Sequence, residues 1–195
     1  MRVTFFWGGF IMDVLCLEFI NSKWYETHKP YVEKLKDGEW LGQFCRKWAL
    51  PVPDGSAQAV EALTRFRDEM REVALRFCAA RALSPEDMET INARLLSGRP
   101  QKRLVPENGG FRLVDVPQSG DLDSFIYRIA LSFSELLTQY PLEYLKKCEN
   151  PDCGWIFYDD SKSHSRKWCD NRCASLMKVR KYRAGKKTKS SSGEG

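Results

Sequence analysis

No stretch of this chain approaches the ~20 consecutive apolar residues that a membrane-spanning helix requires, and histidine occurs only at His28 and His164. The first scarcity excludes a transmembrane helix. The second combines with other gaps: there is no glycine loop to cradle phosphate, no nucleophile elbow and no paired His–Glu metal motif. The first 145 residues therefore announce no catalytic chemistry, and an enzyme is the least supported reading. No internal repeat is present. The apolar start, Val3 to Met12, is interrupted by Asp13 and followed by no small-residue cleavage site. It reads as a first strand or hairpin turning at Gly8-Gly9 rather than as a secretory leader. The expected location is cytoplasmic, where thiols stay reduced and clustered cysteines favour metal over disulfides.

What is present is enough for a core, with 43% hydrophobic and 12% aromatic residues in a 195-residue chain. Apolar spacing near 3.6 predicts four helices. Leu41, Phe44, Cys45 and Trp48 form a short stripe closed by Pro51 and Pro53. Val60, Leu63, Phe66, Met70, Val73 and Phe77 define a helix from about Ser56 to Ala82. Ser84-Pro85-Glu86-Asp87 is a helix start with Ser84 as N-cap, and Met88, Ile91 and Leu95 supply its buried side before Gly98. Leu122, Phe125, Ile126, Ile129, Phe133, Leu136, Leu137 and Tyr140 form the strongest stripe. Arg103 to Val105 and Phe111 to Val114 flank Asn108-Gly109-Gly110 as a hairpin. Cys16, Cys45 and Cys78 read as buried small hydrophobes, and His28 as structural or solvated.

Charge divides the chain. Residues 146–195 hold 13 basic and 6 acidic residues, net +7; residues 1–145 hold 18 and 20, net −2. Such asymmetry points the C-terminal end toward a polyanion, against the plainer reading of a solubilising tail. Four of the seven cysteines lie in this part, as Cys148-x4-Cys153 and Cys169-x3-Cys173. Structural zinc takes four tetrahedral ligands, so these four are the expected ligands of one Zn²⁺. Two disulfides are the alternative in an oxidising compartment, and His164 is a substitute ligand. Pro151 and Gly154 favour a turn at the first pair. The second pair, four residues apart, is expected on one helix face. Between them Trp155-Ile156-Phe157-Tyr158 reads as a strand and Arg166-Lys167-Trp168 as its returning partner. Knuckle, hairpin and helix make a treble-clef-like finger. Four thiolates leave no open coordination position, which makes the ion structural. With zinc they carry −2, lowering the net charge of this part to about +5.

Arg166, Lys167, Lys178, Arg180, Lys181 and Arg183 crowd around these ligands and are the candidate nucleic-acid contacts. On a helix Lys178 and Lys181 line up, while Arg180, Arg183 and Lys187 form another row, with Leu176, Val179 and Tyr182 between. One clean basic face is not expected.

The pattern Cys148-x-Asn150-Pro151-x-Cys153-x3-Phe157-x-Asp159-x-Ser161-x4-Arg166-x-Trp168-Cys169 resembles the CGNR-type zinc finger. In bacteria that finger follows an ABATE domain, in a family described as stress-induced transcription regulators. Leu17-Glu18-Phe19-Ile20-Asn21-Ser22 is similar to that domain's opening signature, which usually ends in Asn-Thr. The resemblance implies zinc, DNA binding by the finger and an N-terminal domain that senses an unknown small-molecule effector. One departure stands out. The family's Cys-Gly-Asn-Arg is here Cys173-Ala174-Ser175-Leu176, and only the cysteine and Lys178 match.

The expected protein is thus α+β: a mixed helix/hairpin sensor domain over 1–145, a zinc finger with a basic helix over 146–184 and a disordered tail over 185–195. Its function is that of a bacterial DNA-binding transcription regulator. The rivals are a zinc-stabilised protein-interaction module and an RNA-binding protein, the latter favoured if Trp155, Tyr158 and Trp168 are exposed for stacking. The sensor domain is expected to hold an apolar pocket lined by its aromatics, unless those aromatics fill the core.

Overall fold

The computed structural model describes residues 13–24, 32–116 and 120–191. The hairpin expected over Val3–Met12 and His28 lie outside the described residues. The chain divides into two units, and the second begins at Glu143.

The first unit opens on α1 (Leu15–Ile20), a six-residue helix that periodicity did not reveal because it spans under two turns. A two-residue ladder follows, β1 (Lys23–Trp24) against β2 (Val32–Glu33). Helix α2 (Gly38–Trp48) is capped by Asp37, whose carboxylate accepts from the Glu39 and Trp40 amides at 3.1 Å. The chain leaves it through Ala49 in the left-handed region. Helix α3 (Ala57–Ala80) starts where the Ser56 hydroxyl accepts from Ala59 N–H, as the serine's capping preference anticipates. Helix α4 (Pro85–Ser97) begins with a capping box between Ser84 and Asp87. It ends at Gly98, packed so closely on the neighbouring helix that a Cβ there would sit 2.0 Å from the Asp123 carbonyl oxygen.

Next comes a hairpin, β3 (Gln101–Glu107) and β4 (Gly110–Val116), in continuous antiparallel register. Its two turn residues, Asn108 and Gly109, both have positive φ, 48° and 79°. That is the backbone a two-residue primed turn demands and the reason Asn-Gly signalled it. Helix α5 (Asp121–Gln139) closes the unit.

The core lies among α1, α2, α3 and α5. Phe19 contacts Phe44, Phe66 and Phe125 with ring centroids 6.3, 5.6 and 5.5 Å apart, and all four rings are buried. These four aromatics pack on one another, as rings do when their edges meet neighbouring faces. Arg67, 1% exposed, is held in the same unit by Glu33 and by Asp68. Cys16 and Cys45 are buried as expected, whereas Cys78 is only half-buried, and burial pushes the Cys16 thiol up to about 12.

The second unit is built on β5 (Leu145–Lys147), β6 (Ile156–Tyr158) and α6 (Asn171–Ser191). Three expectations need correction. The partner of β6 is β5, upstream of the first ligand, and Arg166-Lys167-Trp168 is not a strand. Leu145, Ile156 and Phe157 are fully buried in this ladder; the polar 166–168 stretch has no comparable apolar pattern to bury. Cys169 precedes α6 instead of lying on it, because Asp170 caps the helix and sets its start. Ala174 N–H donates to the Asp170 carbonyl at 3.1 Å and Cys173 N–H to its carboxylate at 2.9 Å. Finally, the stretch from Gly185 is helical as far as Ser191 rather than disordered. Lysine and arginine are good helix formers, and one glycine costs only about 1 kcal/mol.

Candidate metal centre and basic helix

Four sulfur atoms converge in the second unit. The Sγ atoms of Cys148, Cys153, Cys169 and Cys173 all lie within 4.8 Å of one another, and all four residues are buried. Cys153–Cys169 and Cys169–Cys173 are each 3.7 Å apart. A tetrahedral zinc with Zn–S of ~2.3 Å would space its ligands about 3.8 Å apart, so the cluster has the dimensions of a zinc site. The separations are far beyond a bonded S–S distance. No other group of three or more His, Cys, Asp or Glu among the described residues could hold a metal. His164, the expected substitute, instead stacks on Tyr144 at 3.7 Å.

Each ligand is set by a different device. Cys148 and Cys153 sit on the knuckle after β5, where Cys153 N–H donates to the Asn150 carbonyl at 2.8 Å and Cys148 N–H to that of Trp155 at 2.9 Å. Cys169 N–H points at the Cys148 sulfur, 3.4 Å away. Cys173 is carried by the first turn of α6. Buried Asn150 joins the two halves: its side-chain N–H donates to the Cys173 sulfur at 3.4 Å, and its oxygen accepts from Asp152 N–H at 3.3 Å. Such N–H donors stabilise thiolate. In the cluster itself, hydrogen bonds from Cys153 and Cys169 pull the Cys148 thiol down. Sharing with Cys148 pushes Cys153 and Cys169 up. Four thiols this close cannot all ionise unless a cation sits among them, and a divalent ion supplies that charge.

A second hub orders the loop between β6 and the last ligands. Asp159 is fully buried; one carboxylate oxygen accepts from Lys146 Nζ at 2.7 Å and Arg166 N–H at 2.8 Å. The other accepts from Ser161 N–H at 3.2 Å and its hydroxyl at 2.6 Å. Burial opposes ionisation, but Lys146 and these donors outweigh it and hold the carboxyl down at about 2. Lys146 Nζ also reaches the His164 carbonyl at 2.6 Å. The Asp159-x-Ser161-x4-Arg166 spacing is thereby a loop-closing device. Lys146 completes it from β5, a partner that no spacing disclosed.

The six candidate contact residues separate. Lys178, Lys181 and Arg183 are exposed on α6 and make no ion pair among the described residues. Arg180 is turned toward the knuckle, bonded to the Asp152 carboxylate and, at 3.5 Å, to Asn150. Lys167 is exposed and 3.4 Å from Glu149; Arg166 is half-buried. The sulfur site thus gathers them on one module but does not align them. Leu176, where the family motif has arginine, is 42% exposed. Of the three aromatics that would favour RNA, Tyr158 is buried and offers no stacking face, while Trp155 and Trp168 are half-buried.

Residues 144–186 match the CGNR zinc finger. Residues 13–140 match the ABATE domain, described as "Putative stress-induced transcription regulator". The chain belongs to the ABATE family. In this ABATE-family chain the finger's four cysteines fit one structural Zn²⁺. No curated protein matches it. Within the stretch that resembles the ABATE signature, Glu18 accepts from Lys47 Nζ at 2.7 Å and Trp48 Nε1 at 2.9 Å, tying α1 to α2. No helix among the described residues is long and apolar enough to cross a membrane.

Proposed function

We propose that this protein is a DNA-binding transcription regulator in which the zinc finger fixes α6 for insertion into the major groove. The observation that carries the reading is the exposed basic helix rooted in a buried metal site. Twenty-one residues at 1.5 Å each make a rod about 31 Å long. Its diameter of about 10–12 Å suits a major groove ~12 Å wide. Lys178, Lys181 and Arg183 on the helix, with Arg166 and Lys167 beside it, supply charge for phosphates on either side. Arg180 acts instead as the clamp that sets the helix on its knuckle. The family description supports an effector-responsive role for residues 13–140, with the regulator acting in the cytoplasm.

The test is duplex binding against salt. With about four phosphate contacts, log K falls with log salt at a slope of about −3.6. Lys178→Ala with Lys181→Ala should flatten that slope by about 1.8 on all sequences alike. Arg180→Ala should weaken binding by disordering the helix root, with zinc held less tightly. Binding indifferent to salt, or unchanged in the double variant, rejects the reading and favours a protein-interaction module.

A further inference from the structure

The hairpin β3–β4 belongs to neither the metal site nor the basic helix, and its two faces differ. Val105 and Val114, paired with Arg112 and Arg103, lie on one face and are half-buried. The other face carries Lys102, Leu104 and Pro106 opposite Asp115, Leu113 and Phe111. There Leu104 is 63% exposed, Leu113 58% and Phe111 76%. A cross-strand apolar ladder left in water is costly, and a lone two-stranded sheet is marginal without a further strand or covering layer.

The residues say what the partner is. Of the flanking charges, Lys102 is paired with Asp115 and Arg112 with Glu107, each at 2.6 Å, and Arg103 lies on the opposite face. The ladder therefore offers nothing to a polyanion and suits a surface as neutral and apolar as itself. The two edges are not equivalent. Pro106 has no N–H and blunts the β3 edge, as proline does on natural edge strands. β4 has no proline, and its outward backbone groups take no partner among the described residues. We propose that two copies of the chain associate through β4, antiparallel about a two-fold axis at Leu113, to form a four-stranded sheet. In that register Leu113 meets its own counterpart, Phe111 meets Asp115 and Arg112 meets Val114, so no like charges face each other. The exposed face becomes one row, Leu104–Leu113–Leu113–Leu104. Such self-complementarity is what an isologous interface requires.

The experiment uses the full zinc-loaded chain in sedimentation velocity over a concentration series. The wild type should pass from monomer to dimer. Leu113→Glu and Leu113→Lys, each alone, should remain monomeric with unchanged zinc content and far-UV spectrum. An equimolar mixture of the two should recover the dimer, a rescue that misfolding cannot produce. A monomeric wild type, a dimeric single variant or a mixture that stays monomeric each overturns the proposal. Should either variant unfold the hairpin, deuterium exchange of the wild type decides by itself. Amides of 110–116 must slow as concentration rises while those of 101–107 do not; equal behaviour of the two strands overturns it.

Discussion

The carboxylate of Asp159 accepts four hydrogen bonds where water does not reach, so Asp159→Asn keeps the shape and removes the charge opposite Lys146. Breaking a buried pair by removing one partner costs about 3–5 kcal/mol. Here about 2–3 kcal/mol is expected, because Lys146 keeps a fifth of its side chain in solvent. Competition with a chelator should show the variant surrendering zinc more readily; wild-type retention would mean the hub does not support the metal site. Asp159, Ser161 and Arg166 were legible as a spaced pattern, and so were the four cysteines. The reason for the pattern was not, because it depends on Lys146 Nζ arriving from another strand. Nor was the role of Arg180 legible: helical angles separate it from Lys178, but only its contact with Asp152 shows it serving the knuckle.

Helices long enough to show a 3.6 period, α2 to α5, were readable, α4 together with its Ser84 cap, and the Asn108-Gly109 turn announced its hairpin. Short elements were not. Helix α1 has six residues and β5 three, too few for any periodicity. Two consequences belong to this scale. Gly98→Ala would drive a methyl into the Asp123 carbonyl and the Tyr127 side chain, separating α4 from α5. Overpacking of this kind costs about 1–3 kcal/mol, read as a lower melting temperature of the helical unit with zinc content unchanged. The α4 capping box also gives the unit an acid limb. Arg76 and the Ser84 amide hold the Asp87 carboxyl below its ordinary value. A depressed carboxyl contributes stability that is full above about pH 4 and is lost as pH falls through its folded value. Denaturation of the helical unit between pH 5 and pH 2 should show this loss, and Asp87→Asn should be less stable at pH 5 with a shallower decline below it. An unchanged slope would remove Asp87 from the account.

Across the whole molecule, the metal and the apolar core stabilise different stretches of chain. Removing zinc with a chelator, or replacing Cys173 with serine, should unfold residues from 143 onward and leave the helical unit's melting transition in place. Structural zinc contributes on the order of 10 kcal/mol to so small a module. One zinc per chain by elemental analysis is the accompanying expectation, and co-melting of both units on chelation would contradict it. The charge asymmetry foretold a net-positive C-terminal part, though not that its exposed cations stand on a helix continuing to Ser191. That helix behaves as a cantilever, fixed at its root by Asp170, Cys173 and Arg180. A tilt of about 10° at the root moves the far end of a ~31 Å rod by about 5 Å, more than the reach of a hydrogen bond. Small errors in sulfur placement are thus magnified along the lever, and the tolerances of the metal centre become the aiming precision of residues several turns away.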